Sequence, residues 1–255
     1  MEKIPNHKSK TASIPLILHQ TWKDKNLPDN FVKYARSWKK HHPGWDYRFY
    51  TDADCKNFIH STCPDWMDIY EGFTHPIQRA DLFRYLVVYH CGGLYADMDM
   101  ACFKPVDSII SKSRCLICVE ALLTKPYQKE LGYPEPFQVA NCIFAAAKNH
   151  GFLAEVLERI KSIRATPVME DMDIESITGP RMLTRLYFTL NPVMKEQLTL
   201  MPQIYFMSPH IYPNLFPFNV NMYARHHCVG TWKKDKERKS FRRRWIERNR
   251  LPGFF

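Results

Sequence analysis

The chain has 255 residues, 45% of them hydrophobic and 24% charged, with a formal net charge of +10. That is enough apolar material for one sizeable core and excludes a disordered chain. No run approaches the ~18–20 uninterrupted apolar residues of a membrane-spanning helix, and the basic first ten residues have no apolar segment behind them, as a secretory signal would. Eight cysteines without framework spacing, and no Asn-x-Ser/Thr sequon, point to free thiols in a reducing compartment, hence a cytoplasmic protein.

Residues 1–12 read as a loose arm, followed by one domain over 13–235 and a basic, aromatic tail over 236–255. Ile14 to His19 is a short apolar strand with Gln20-Thr21-Trp22 at its carboxyl end. In open α/β sheets ligands gather outside the carboxyl ends of strands. His19, Gln20 and Trp22 are thus placed to meet a nucleotide, with Trp22 either stacking on a base or anchoring the sheet. Phe31 to Lys40 is helix-like, and His41-His42-Pro43-Gly44 ends it, with both histidines expected at the surface. Trp45 to Tyr50 alternates as a second strand. Asp52-x-Asp54 then caps a helix from Cys55 to Ile59, a structural use of acids.

Pro76 to Cys91 carries apolar residues at helical spacing, with proline in the first turn and Gly92-Gly93 as the stop. Asp81 and Arg84 share one face of this apolar helix. A buried acid and guanidinium persist only when paired or bonded to a polar ligand, so the pair is either an internal ion pair or a sugar site. Leu94 to Asp99 alternates as a strand, which aims Asp97 and Asp99 the same way and turns Met98 back toward the sheet. Two neighbouring carboxylates repel unless a cation lies between them. Hard oxygen ligands of this kind suit Mg2+ or Mn2+, with positions left for water and phosphate oxygens. The pattern predicts a metal–diphosphate platform at a strand end.

Beyond it, Phe103 to Val106 ends a strand, Ser108 to Lys112 is a short helix or turn, and Leu116 to Glu120 is another strand. Cys115-x-x-Cys118 has metal or redox spacing, but on a strand the two face opposite sides. Leu123 to Phe137, with Pro126, Pro134 and Pro136, is expected as an irregular loop suited to acceptor specificity. Gln138 to Ala145 reads as one strand with Asn141 near its start, and Gly151 to Arg164 as an amphipathic helix. Met169 to Asp173 is an acidic loop. Thr178-Gly179-Pro180 leads into a helix from Arg181 to Leu190, as an N-cap would. Gln203 to Tyr223, rich in proline and aromatics, is expected to line or cover the cleft. From the distant Arg225–Trp232 stretch His226 or His227 could complete a metal site, and a neutral imidazole is more compatible with Mn2+ than with Mg2+.

Several of these motifs together resemble glycosyltransferase family 32 and its relatives, enzymes with a DXD sugar-binding region. They are Ile14-Pro-Leu-Ile-Leu-His-Gln-Thr-Trp22, Arg79-Ala-Asp-x-x-Arg-Tyr85 with Gly92-Gly-x-Tyr-x-Asp-x-Asp99, and His226-His-x-x-Gly-Thr-Trp232. The resemblance implies a GT-A-like α/β fold with a mixed central sheet. It implies a Mn2+- or Mg2+-dependent, retaining transfer of a hexose from a GDP- or UDP-sugar to a glycan, glycolipid or protein acceptor. It also places Asp81, Arg84, Tyr95, Asn141, Thr178 and Gly179 at the donor sugar, and Trp232 over the leaving diphosphate. Two rivals come from other classes. A phosphatase with Asp-x-Asp after a strand needs a hydroxyl residue two positions beyond the second acid, where Ala101 stands. A nucleic-acid-binding protein would explain the basic tail but not Gly-Gly-x-Tyr-x-Asp-x-Asp, so no nucleic-acid partner is expected.

Lys233 to Arg250 holds ten Lys/Arg against three acids, interleaved with Phe241, Trp245 and Ile246. Basic residues among aromatics suit peripheral contact with an anionic membrane, each worth ~1 kcal/mol there. Removing residues 236–255 is expected to abolish binding to anionic liposomes at low salt; unchanged co-sedimentation would remove this role.

Overall fold

The computed structural model describes residues 13–164, 171–207 and 221–230; the arm, the whole 236–255 tail, Trp232 and most of the Gln203–Tyr223 stretch expected over the cleft lie outside them. The order is β1 (Ile17–Thr21), α1 (Asp29–His41), β2 (Asp46–Tyr50), α2 (Asp52–Thr62), α3 (Met67–Gly72), α4 (Pro76–Cys91), β3 (Gly93–Ala96) and β4 (Met100–Cys102). There follow α5 (Asp107–Ile110), β5 (Cys115–Leu122), α6 (Lys125–Leu131), β6 (Phe137–Val139), β7 (Ile143–Ala146) and α7 (Gly151–Ile163). The last elements are α8 (Asp171–Ile177), α9 (Pro180–Thr189), α10 (Pro192–Glu196), β8 (Leu198–Met201) and β9 (Ala224–His226).

Seven strands form a mixed sheet in the order β2-β1-β3-β7-β5-β6, with β8 also paired to β5. β1 runs parallel to β2 and β3, whereas β7 is antiparallel to both β3 and β5. A separate two-stranded ribbon joins β4 to β9. This is the α/β domain with a mixed central sheet that the sequence predicts.

The central strands are buried on both faces, so they read as unbroken apolar runs, yet the two-residue repeat still sorts them. Tyr95, Cys115, Ile117, Phe144 and Ala146 point into one core, shared with α2, α3, α4, α7 and α9. Leu94, Ala96, Leu116, Cys118, Ile143 and Ala145 point into the other, beneath Trp38 of α1 and the β4–β9 ribbon. Cys115 and Cys118 therefore lie in different cores, and all eight cysteines are free thiols.

α4 has the predicted ends. Pro76 occupies its first turn, and Gly92, at φ 69°, closes it with its N–H donated to Val88 O at 2.8 Å. The stripe expected on one side widens until residues 81–88 are all buried, because α4 is covered by α2, α3, α7 and the sheet. α2 starts with a capping box between Thr51 and Asp54, the structural role expected for Asp54.

Elsewhere tertiary contacts redraw the expected elements. β1 begins three residues later than Ile14, after a Pro15 turn. Pro126 opens α6 instead of breaking a loop, since proline fits a first helical turn. The strand expected over Gln138 to Ala145 is two strands, with Asn141 at the break. Asp173, expected in a loop, is in α8. His42, expected at the surface, is buried; its Nδ1–H donates to Trp38 O at 3.0 Å and its Nε2 accepts from Val106 N–H at 3.0 Å.

Gly93 sits at φ 108°, and a Cβ there would lie 2.6 Å from Ile17 O, where β3 crosses β1. A left-handed conformation and a backbone clash act together, so Gly93→Ala should cost at least ~2 kcal/mol. An unchanged urea midpoint in the variant would contradict this.

Candidate active site

β3 ends at Ala96, and the acids do not continue it. Asp97 to Asp99 form a tight turn, closed by Met100 N–H donating to Asp97 O at 3.1 Å. The shared direction of the two carboxylates therefore comes from a turn and not from strand alternation, while Met98 between them packs on Phe31 and Ala35. Gln20 pins this turn: its Nε2 donates to Ala96 O and Asp97 O at 3.3 Å each, and its Oε1 accepts from Tyr47 OH at 3.0 Å. Asp97 N–H donates to Cys142 O at 2.9 Å.

The β4–β9 ribbon brings a distant segment to the second acid. Met100 lies opposite His226, whose Nε2 is 3.1 Å from Asp99 Oδ1. Val229 N–H donates to Asp99 Oδ2 at 2.9 Å and His227 N–H to Asp99 O at 3.0 Å. Ligand atoms of Asp97, Asp99 and His226 lie within 4.8 Å of one another. Of the two candidate histidines, His226 joins the acids, whereas the His227 ring stacks on Tyr34 at 4.4 Å. Two carboxylates and an imidazole converging from two chain segments can hold a divalent cation, which fits Mn2+ chemistry. The His226 proton would have to leave first.

Behind this group lies a buried polar network. Arg84 Nη2 is 3.1 Å from Asp81 Oδ1, and Nη1 is 3.3 Å from Asp97 Oδ1. Asn141 Nδ2 donates to Asp81 Oδ1 at 3.0 Å, and Arg84 Nη1 also donates to Asn141 O at 2.9 Å. Thr178 Oγ1 donates to Asp81 Oδ2 at 2.8 Å. Tyr95 OH donates to Asp97 Oδ1 at 2.8 Å while its ring underlies the Arg84 guanidinium, 4.8 Å away. Burial pushes the Asp81 carboxyl up to about 7, with Arg84, Thr178 and Asn141 pulling the other way. Burial likewise raises Asp97, opposed by Arg84. Asp99 is held down to about 2, because the His226 imidazole outweighs burial.

The remaining sequence candidates fall around this centre. His19 is fully buried, its ring nitrogens 2.9 Å from Gly92 O and 3.1 Å from Tyr50 OH, so it braces the glycine stop beneath the site. Trp22 packs edge-on against Phe31 at 4.9 Å, with its buried Nε1 lacking a partner among the described residues. Thr178 does not cap α9; Gly179 does, and its missing Cβ admits Glu175 Cα, 2.8 Å from where it would stand. Trp232 lies outside the described residues. Sequence patterning singles out neither Glu120 nor Gln138, which are bonded to each other at 2.7 Å beside this centre. The sign in the sequence is an acid inside an otherwise apolar strand.

Removing Arg84 would leave Asp81 and Asp97 as uncompensated buried acids, so Arg84→Met should destabilise the fold by about 3–5 kcal/mol near neutral pH. Without the guanidinium both carboxyls would have folded-state pKa values further above their unfolded ones. Stability is then retained below the unfolded values, near 4, and lost as pH rises through the folded ones. The deficit measured by urea unfolding should therefore shrink at about pH 4; an equal loss at both pH values would contradict this account.

Residues 28–116 match the family model described as the glycosyltransferase sugar-binding region containing a DXD motif. Over 245 residues the chain is 27% identical to inositol phosphoceramide mannosyltransferase 1 of Schizosaccharomyces pombe, covering 95% of this chain and 68% of that protein. It is 29% identical over 174 residues to mannosyl phosphorylinositol ceramide synthase CSH1 of Saccharomyces cerevisiae, covering 68% of this chain and 42% of that one. Among solved structures, the galactosyltransferase LgtC with donor and acceptor sugar analogues aligns over 92% of this chain and 97% of its own, at 14% identity and a TM-score of 0.46. The chain is thus similar to glycosyltransferases whose sugar-binding region carries a DXD motif, and Asp97-Met98-Asp99 lies within the matched stretch.

Proposed function

We propose that the protein is a divalent-metal-dependent, GT-A-type hexosyltransferase that takes its sugar from a nucleotide diphosphate and passes it, with retention, to a glycan or glycolipid hydroxyl. The observation that carries this is the convergence of Asp97, Asp99 and His226 on one point, with Asp81, Arg84, Asn141 and Thr178 networked directly behind it. When bound there, Mn2+ (or Mg2+) would supply Lewis-acid stabilisation of the departing diphosphate. Arg84 keeps Asp97 ionised and oriented for that role. Asp81 and Asn141 present the polar groups that sugar hydroxyls require, and Gln20 and Tyr95 fix the turn. Trp22 offers the nucleotide an aromatic surface beside the carboxyl end of β1. The names of the yeast relatives favour mannose as the sugar, and inositol-containing sphingolipids as one acceptor class.

A lipid acceptor would agree with membrane apposition through 236–255. No helix among the described residues is long and apolar enough to cross a membrane.

With a panel of GDP- and UDP-sugars, the wild type is expected to hydrolyse or transfer at least one in the presence of Mn2+. Asp97→Asn and Asp99→Asn should each lower that turnover by roughly 100-fold or more. Full turnover in chelator, or in Asp99→Asn, would refute the metal-dependent scheme.

A further inference from the structure

β5 and β6 pair antiparallel with one irregularity. Val119 lies opposite Val139 and Ala121 opposite Gln138, so Glu120 is the extra residue of a β-bulge. Bulges re-aim a side chain and gather beside active sites. Here three side chains hold the bulge in place. Gln203 Nε2 donates to the Glu120 main-chain carbonyl at 2.8 Å. Gln138 Nε2 donates to Glu120 Oε2 at 2.7 Å, and Gln138 Oε1 accepts from Tyr133 OH at 3.4 Å. Glu120 Oε1 has no hydrogen-bond partner among the described residues.

This carboxylate belongs neither to the Asp97–Asp99–His226 group nor to the Asp81–Arg84 network, yet it lies close to both. Gln138 is three residues before Asn141, which holds Asp81 and Arg84. The charges of Glu175, His226 and Asp97 all act on Glu120, and burial pushes its carboxyl up to about 7. The carboxylate is half-buried, the Gln138 amide holds one of its oxygens, and the other is not enclosed, which leaves it open to accept from an incoming hydrogen-bond donor. β1, β2 and Trp22 stand on one side of Asp97, and β7, β5 and β6 on the other. A nucleotide on the β1 side leaves the β5–β6 side for the second substrate. Glu175, whose charge acts on Glu120, is paired with Arg181 at 3.0 Å, and Arg181 also bonds Tyr127 OH at 2.9 Å, so this face suits neutral hydroxyls better than an anion.

We infer that Glu120 positions the acceptor, its Oε1 accepting a hydrogen bond from a hydroxyl of a sugar or cyclitol ring bound at the β5–β6 side of the site. The inference rests on the glycosyltransferase reading above and deepens it. Methyl α-mannopyranoside and myo-inositol serve as acceptor probes, with transfer and donor hydrolysis read in the same reaction. Glu120→Gln should shift the partition toward hydrolysis by about tenfold, through a raised KM for the acceptor probe at unchanged donor KM. Gln138→Met, which frees the carboxylate without removing it, should shift it the same way by less, and it keeps the test open if Glu120→Gln fails to fold. Transfer and hydrolysis falling in parallel, or an unshifted partition, would overturn the assignment. Wild-type hydrolysis with no transfer to either probe would overturn the acceptor class, whereas no hydrolysis of any nucleotide sugar would refute the enzyme reading separately.

Discussion

The Arg84 guanidinium, buried between Asp81 and Asp97, is the interaction on which the site depends. A guanidinium in this setting stays charged because two carboxylates surround it, and each carboxylate tolerates burial because of the guanidinium. The pair on α4 alone would be a closed ion pair. The third partner, Asp97, opens it toward the DXD turn, so one helix residue fixes the geometry of a turn 13 residues further along the chain. A planar donor fork can serve Asp81, Asp97 and Asn141 O together, which a lysine ammonium could not reproduce with the same angular control.

The surrounding fold is arranged to hold that centre from several directions. Gly92 and Gly93 let α4 turn directly into β3 against β1, with His19 and Ile17 packed where side chains would otherwise stand. The break between β6 and β7 places Asn141 over Asp81, and the α8–α9 junction brings Thr178 to the other oxygen. The β4–β9 ribbon returns the chain from residue 226 to residue 99. Polar groups buried this deeply are tolerable because nearly all have a partner, Arg84 Nε being the atom of this network without one among the described residues, and such networks gain rigidity in a low-dielectric surround. Pre-organised polar groups of this kind stabilise charge that develops during a reaction without reorganising.

The two sides of the DXD turn differ in chemistry. Toward β1 and β2 there are part-exposed aromatic faces, Trp22 and Tyr34, both packed on buried Phe31. Toward β5, β6 and α9 there are carboxylates, amides and phenols, among them Glu120, Gln138, Glu175 and Tyr133. Flat apolar faces suit a base, and hydrogen-bonding side chains suit the hydroxyls of a sugar or cyclitol. On the function proposed above, the asymmetry assigns donor and acceptor separate approaches to one reacting centre.

The amino-acid sequence by itself determined the ends of α4, the glycine stop, the α/β class and the shared helix face of Asp81 and Arg84, because helical period, proline at a first turn and glycine at a helix end are local properties. It also marked Asp97, Asp99, Asn141 and Thr178, through motifs spread over nearly the whole chain. Only the tertiary structure decided that the acids sit on a turn, that the strand around Asn141 is two strands, and that His226 and not His227 faces the carboxylates. Each of those depends on a partner far away in sequence: Cys142 for the turn, Val119 and Leu94 for the split strands, Met100 for the histidine. Glu120 escaped sequence reasoning for the same reason, since a bulge exists only as a mismatch between two strands and neither strand contains it alone.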